Sequence, residues 1–223
     1  MTTDSNLPLP HGAAFEGGVY TQILRPLNND NKRPALFLDR DGAVVVEAHY
    51  LHKVEDVELI PGAAATIAAA NAKEIPVILV TNQAGVGYGY FGWPEFVAVQ
   101  DRIMSDLAAN GAFIDGVYAC PFHEKGKPPY DQGDHPARKP NPEMLLTAAR
   151  QMNIDLSRSW IVGDRAGDIG AGKNAHIAGG VHVLTGHGAR EGENEEARAL
   201  ADQTYRVHTA DSIAEIPDLI DLL

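Results

Sequence analysis

Four short stretches of this chain are apolar almost throughout and each stops on polar or ionisable residues. ALFL runs into Asp39-Arg40-Asp41, VILV into Thr81-Asn82, GVYA into Cys120, and WIVG into Asp164. Strands that are apolar on both faces belong to a parallel sheet covered by helices on either side, because a sheet with one wet face alternates instead. Helical patterns lie between them. PGAAATIAAANAKE (61–74) opens on Pro and is Ala-rich, and residues 93–111 place Phe96, Val99, Ile103 and Leu107 at helical spacing before Gly111. NPEMLLTAARQM (141–152) starts with Asn141 as a helix cap and Pro142 in the first turn, and AGDIGAGKNA follows Asp164. Two more strands are expected at 180–184 and 204–208, and a last helix over 211–223.

This alternation predicts an α/β, Rossmann-like three-layer fold with a mainly parallel central sheet. Residues 1–33, rich in Pro, Gly and Asn, read as an irregular N-terminal extension on the surface, with the domain over 34–223. In open parallel sheets ligands bind beyond the carboxyl ends of the strands. The polar residues that end the four apolar runs therefore mark the place for a site.

A net charge of −12 argues against a nucleic-acid partner or an anionic membrane surface, yet leaves room for a small anionic substrate beside a local cation. One cysteine, Cys120, allows no internal disulfide and points to a reducing compartment. The first residues lack the basic and apolar regions of a secretory signal, and no run is long enough to span a bilayer. A cytoplasmic monomer is the expectation.

Asp39, Asp41 and Asp164 are expected to converge, and clustered carboxylates need a compensating cation. All-oxygen donors suit Mg²⁺, which binds few protein carboxylates and leaves room for water and phosphate. One carboxylate could then attack phosphorus while the other, two residues on, moves protons. Thr81 supplies a hydroxyl and Lys139 a compact positive charge for a phosphoryl group.

FLDRDG, TNQAG, RKPNP and VGDRAGD, in that order and at strand ends, resemble the motifs of the haloacid dehalogenase superfamily of phosphatases. Over residues 34–190 the chain is more similar to the branch holding heptose 1,7-bisphosphate phosphatases and histidinol-phosphate phosphatases. The resemblance implies Asp39 as nucleophile and Mg²⁺ ligand, and Asp41 as general acid/base whose backbone carbonyl also faces the metal. It further implies Thr81 and Lys139 on the phosphoryl group, Asp164 on the metal, and Asp168 in support. Asn82, Gln83 and Arg138 are the implied substrate contacts. The expected activity is removal of the 7-phosphate from the heptose bisphosphate through an aspartyl-phosphate. Histidinol phosphate or another small phosphorylated metabolite is the alternative substrate, and a silent phosphate-binding module the alternative of another class.

About 40 residues separate Asp39 from Thr81 and about 58 separate Thr81 from Lys139, too few for a large cap domain. The loops at 44–60, 82–93 and 121–138 are left to read the substrate. Members of the branch often bind a structural zinc in the long loop; here Cys120, His123 and His135 are only a partial set, so no zinc is expected. Tyr88 stands where the branch often has Arg. Tyr90, Phe91 and Trp93 read as packing under their loop, and 185–200 as a flexible stretch.

Overall fold

In a computed structural model that describes residues 9–26 and 31–223, eight strands form a single sheet. In chain order the strands are β1 (Ala13–Glu16), β2 (Val19–Ile23), β3 (Leu36–Leu38), β4 (Val77–Asn82), β5 (Gly116–Cys120), β6 (Trp160–Gly163), β7 (Gly179–Val183) and β8 (Arg206–Ala210). The helices are α1 (Ala63–Ala72), α2 (Ala84–Tyr88), α3 (Trp93–Ala109), α4 (Glu143–Met152), α5 (Ala166–Asn174), α6 (Glu193–Ala199) and α7 (Ile216–Leu219). The sheet order is β1-β2-β5-β4-β3-β6-β7-β8, and all six strands from β5 to β8 in that order are parallel. This is the expected mainly parallel α/β architecture.

Strand residues alternate between two cores. Leu36, Leu38, Leu79 and Val162 join α1 and α3 on one face, with Ile67, Phe96, Ile103 and Leu107 packed against them. Phe37, Ile78, Val80 and Ile161 join α4 and α5 on the other, with Leu145, Ala148 and Ile169. Each fully buried Leu, Ile or Phe contributes about 1.5–3 kcal/mol, and the two cores fix the central strands from both sides.

The expectation of an irregular segment up to residue 33 is corrected within the described residues. Gly17 and Gly18 both have positive φ (57° and 83°) and join β1 to β2 as a two-residue hairpin. β2 then pairs antiparallel with β5, and its Tyr20 stacks on Trp93 at 5.6 Å between ring centroids. The expected start at 1–8 and the stretch 27–30 lie outside the described residues.

Two helix starts also differ. Asn141 does not cap α4; its amide nitrogen donates to Asp134 Oδ1 and to the His135 carbonyl, both at 3.0 Å, and so pins the long loop. α1 begins after Gly62, which sits at positive φ and whose lack of a Cβ leaves room for Ala214. The C-terminal helix is split into a 3₁₀ turn at Ile213–Glu215 and the four-residue α7. Between β3 and β4 the described chain holds a 3₁₀ turn and α1, and between β4 and α4 it holds α2, α3, β5 and the long loop, with no inserted cap domain. Among the described residues no helix is long and apolar enough to cross a membrane.

Candidate active site

β3 delivers Asp39 to the carboxyl edge of the sheet, where its N–H donates to the Val162 carbonyl at 2.8 Å and ties it to β6. β6 delivers Asp164, and the first turn of α5 delivers Asp168. Asp39, Asp164 and Asp168 are all buried, and one oxygen from each lies within 4.8 Å of the others. Lys139 enters from the end of the long loop. Its ammonium donates to Asp39 Oδ1 at 2.6 Å and to the Val80 carbonyl at 2.7 Å, and pairs with Asp168 Oδ1 at 2.6 Å. Those three partners use all three of its donors.

Asp168 is fully engaged: its second oxygen accepts the Arg165 N–H at 2.9 Å, and its own N–H donates to the Arg165 carbonyl at 3.0 Å at the start of α5. Asp164 Oδ2 accepts the His187 N–H at 2.7 Å. Asp39 Oδ2 and Asp164 Oδ1 accept no hydrogen bond among the described residues. Three buried carboxylates thus cluster around one ammonium that pairs with two of them, Asp39 and Asp168. Burial, followed by the charge of Asp168, pushes Asp164 up to about 7. Burial raises Asp39 as well; Lys139 opposes that rise while Asp168 and Asp164 add to it. Burial works against charge on Lys139, but Asp168 and Asp39 outweigh it and hold the ammonium protonated. A cluster short of positive charge, with uncommitted hard oxygens, fits a divalent cation such as Mg²⁺.

The convergence expected of Asp39, Asp41 and Asp164 side chains is corrected: Asp168 takes the third place. The Asp41 carboxylate turns aside, to Arg40 Nη2 at 2.9 Å and Gln83 Nε2 at 2.9 Å. Gln83 also donates to Thr81 Oγ1 at 2.9 Å, so it links the strand-end hydroxyl to Asp41. Asn82 makes a reciprocal pair with the Lys139 backbone, each bond 3.1 Å, and thereby sets where Lys139 enters. Arg138 donates to the Phe122 carbonyl at 3.0 Å. All of these residues line one cavity of about 460 Å³ that also contains Asp39, Asp164 and Asp168, a size suited to a small metabolite.

Cys120, the fourth strand-end residue, is buried with its thiol pushed up to about 11 by that burial, and is not among the residues lining the cavity. His135 lies flat on Phe122, ring centroids 3.7 Å apart, and its Nδ1 accepts the Ala137 N–H. His123 Nδ1 accepts the Lys125 N–H. The long loop is therefore held by stacking and local hydrogen bonds.

The turn after β7, read from sequence as part of a flexible stretch, is instead built against the site. Thr185 Oγ1 donates to the Gly42 carbonyl at 2.6 Å, and His187 caps Asp164. Gly42 (φ 87°) and Gly186 (φ 57°) both abut the Asp164 carboxylate, and a Cβ at either would collide with it. The repeated Gly in TGHG was the available signal for a close backbone approach.

A family model for haloacid dehalogenase-like hydrolases matches residues 13–176. The chain belongs to that family. Within it, a D-glycero-beta-D-manno-heptose-1,7-bisphosphate 7-phosphatase from Mesorhizobium japonicum is 48% identical over 66% of this chain and 68% of its own length. A D-glycero-alpha-D-manno-heptose-1,7-bisphosphate 7-phosphatase from Burkholderia mallei is 41% identical over 66% of this chain and 77% of its own. Among solved structures, a candidate HAD-like phosphatase from Mesorhizobium loti superposes with a TM-score of 0.82 at 38% identity, covering 96% of both chains. The D,D-heptose 1,7-bisphosphate phosphatase from B. bronchiseptica, crystallised with magnesium and phosphate, gives 0.68 at 27% identity over 83% of this chain and 96% of its own.

Proposed function

We propose that this chain is a Mg²⁺-dependent phosphomonoester hydrolase that removes the 7-phosphate of D-glycero-D-manno-heptose 1,7-bisphosphate, with the β anomer preferred. The observation that carries the chemistry is the buried Asp39–Lys139–Asp168 arrangement beside Asp164, with the Asp41 carboxylate held separately in the same cavity. The relatives' names support the substrate, and the more similar of the two curated relatives acts on the β form.

In this reading the Asp39 carboxylate attacks phosphorus, the bond from phosphorus to the C7 oxygen breaks, and Asp41 gives its proton to the departing oxygen. Asp41 then takes a proton from the water that attacks the aspartyl-phosphate, which restores Asp39 and releases inorganic phosphate. Lys139 keeps the Asp39 carboxylate in one orientation and offsets its charge. Gln83 and Arg40 keep the Asp41 carboxylate away from the acid cluster, so the two acids stay in different surroundings. Asp39 and Asp164, with the Asp41 carbonyl, would hold Mg²⁺, and the ion supplies charge neutralisation for the transferring phosphoryl group. Thr81 and Arg138 are the contacts to phosphate or hydroxyl oxygens in this reading, which their position in the cavity lining supports. A monomer working in the cytoplasm on a small anionic metabolite accords with the −12 charge and the single buried thiol.

The test is turnover of both heptose anomers, histidinol phosphate, hexose phosphates and nucleotides with Mg²⁺ or EDTA, with the product identified by ³¹P NMR. Heptose 1-phosphate from the β anomer, Mg²⁺-dependent and well above the other substrates, supports the reading. Preferred turnover of histidinol phosphate would replace the substrate, and no phosphate release would remove the activity.

A further inference from the structure

One side of the cavity mouth is aromatic. Tyr50 and Tyr88 line it, with His123 beside Tyr88 at 5.0 Å between ring centroids. Tyr90 lies outside the lining but braces both tyrosines, 5.2 Å from Tyr50 and 5.3 Å from Tyr88. Tyr50 and Tyr88 meet edge to face at 6.0 Å. Three tyrosines joined in this way are poorly explained as core, since Tyr50 is 40% and Tyr90 63% exposed.

The backbone that carries them is specialised. His49 and Tyr50 are consecutive non-glycine residues at positive φ (54° and 67°), a conformation that bulky side chains seldom adopt. Glu47 accepts the His49 N–H at 2.7 Å and His52 Nδ1 lies 2.8 Å from the Tyr50 carbonyl, so the turn is held from both sides. Tyr88 ends α2, where Gly85 lets Tyr50 and Phe91 approach and Gly87 lets the chain press on Pro121. The Lys127 N–H donates to the Gly87 carbonyl at 2.7 Å and locks the 121–138 loop to this element. Three separate loops therefore fix one aromatic wall next to the reacting acids.

A sugar ring presents C–H faces that pack on an aromatic ring and hydroxyl edges that need hydrogen bonds, and a tyrosine offers both surfaces. We propose that the Tyr50–Tyr88 wall, braced by Tyr90, is the specificity-determining surface that takes the pyranose ring of the substrate while its phosphoryl group lies at Asp39. The cationic side chains Arg138, Arg165 and Arg190 also line the cavity, Arg165 paired with Glu193 at 3.4 Å, and bring positive charge to where a second anionic group would lie. This inference rests on the phosphatase reading above and adds what selects a ring-bearing substrate over a small phosphate ester.

The test compares kcat/KM for the heptose bisphosphate, mannose 6-phosphate, a nucleoside monophosphate and acetyl phosphate in wild type, Tyr88→Ala, Tyr88→Phe and Tyr50→Asn. Asn suits the left-handed backbone at position 50 while removing the ring. For Tyr88→Ala and Tyr50→Asn the ratio of sugar phosphate to acetyl phosphate efficiency should fall at least tenfold, mainly through KM. Tyr88→Phe, which keeps the ring face, should stay within threefold. A ratio that does not move, whether or not both activities fall together, overturns the wall as a specificity surface. So does a nucleoside monophosphate that outperforms both sugar phosphates and loses efficiency in the same variants. If wild type prefers mannose 6-phosphate to the heptose bisphosphate, the heptose assignment fails while the wall is still read on the mannose ratio.

Discussion

Lys139 Nζ lies 2.6 Å from Asp39 Oδ1, with both side chains nearly inaccessible to solvent. The same ammonium reaches Asp168, so one lysine is shared by two buried carboxylates across three elements of the fold. Removing one partner from such a pair leaves charge buried without compensation, a loss of about 3–5 kcal/mol. Lys139→Met should therefore lower the free energy of unfolding measured by urea titration by an amount in that range when metal-free. It should also cut turnover at least 100-fold, because Asp39 loses its fixed orientation. Unchanged stability would mean that Lys139 is not the compensating charge.

The Asp41 carboxylate stands apart from the acid cluster, held by Arg40 and Gln83. Asp41→Asn keeps the shape and removes the transferable proton. Turnover should fall about 10²–10⁴-fold, the range for general acid–base catalysis, while Mg²⁺ affinity by calorimetry stays within a few-fold. A large loss of Mg²⁺ binding would move the Asp41 carboxylate to the metal.

Gly186 abuts Asp164 at positive φ, and any Cβ there meets the carboxylate. Gly186→Ala should displace Asp164 and weaken Mg²⁺ binding about 10–100-fold, as changes behind a metal ligand do. Titration calorimetry reads this directly. Wild-type affinity in the variant would show that the 185–188 turn does not set the position of Asp164.

Burial lifts Asp164 from the usual carboxylate range to about 7, and lifts Asp39 in the same direction. A carboxyl whose folded pKa is raised contributes stability that is complete below its unfolded pKa, near 4, and is lost as pH climbs through about 7. The EDTA-treated protein should thus lose thermal stability between pH 5 and pH 8. Mg²⁺ should raise Tm more at pH 8 than at pH 5, since protons no longer compete for the same oxygens. The test is Tm across that range with and without Mg²⁺; an equal Mg²⁺ increment at both ends would contradict the linkage.

Much of the architecture was legible because the apolar runs at 35–38, 77–80, 116–119 and 160–163 are too uniform for anything but a doubly covered sheet, and the polar residue ending each run marked its carboxyl edge. The β1–β2 hairpin is signalled only by Gly17-Gly18, and the Pro- and Asn-rich surroundings give the segment the composition of an irregular extension. The local pattern at Asn141 suits a helix cap, whereas tertiary contact takes its amide to the 134–135 turn. Side-chain direction was the least legible property. Spacing alone could not tell that Asp41 turns to Gln83 while Asp168, one helical turn beyond Asp164, completes the acid cluster. The 185–188 turn is less legible for a related reason: its contribution is a backbone N–H, which has no residue signature, and the absence of a Cβ, which only the glycines of TGHG mark.

The central claim is that Asp39 becomes phosphorylated during turnover. The direct measurement is rapid acid quench of enzyme, Mg²⁺ and substrate, borohydride reduction of any acyl phosphate, and mass spectrometry of the peptide containing residues 34–45. Conversion of Asp39 to homoserine, present with substrate and absent both without it and in Asp39→Asn, is the predicted result. Full turnover with Asp39 unmodified at every quench time, or modification of Asp41 or Asp164 instead, would contradict it.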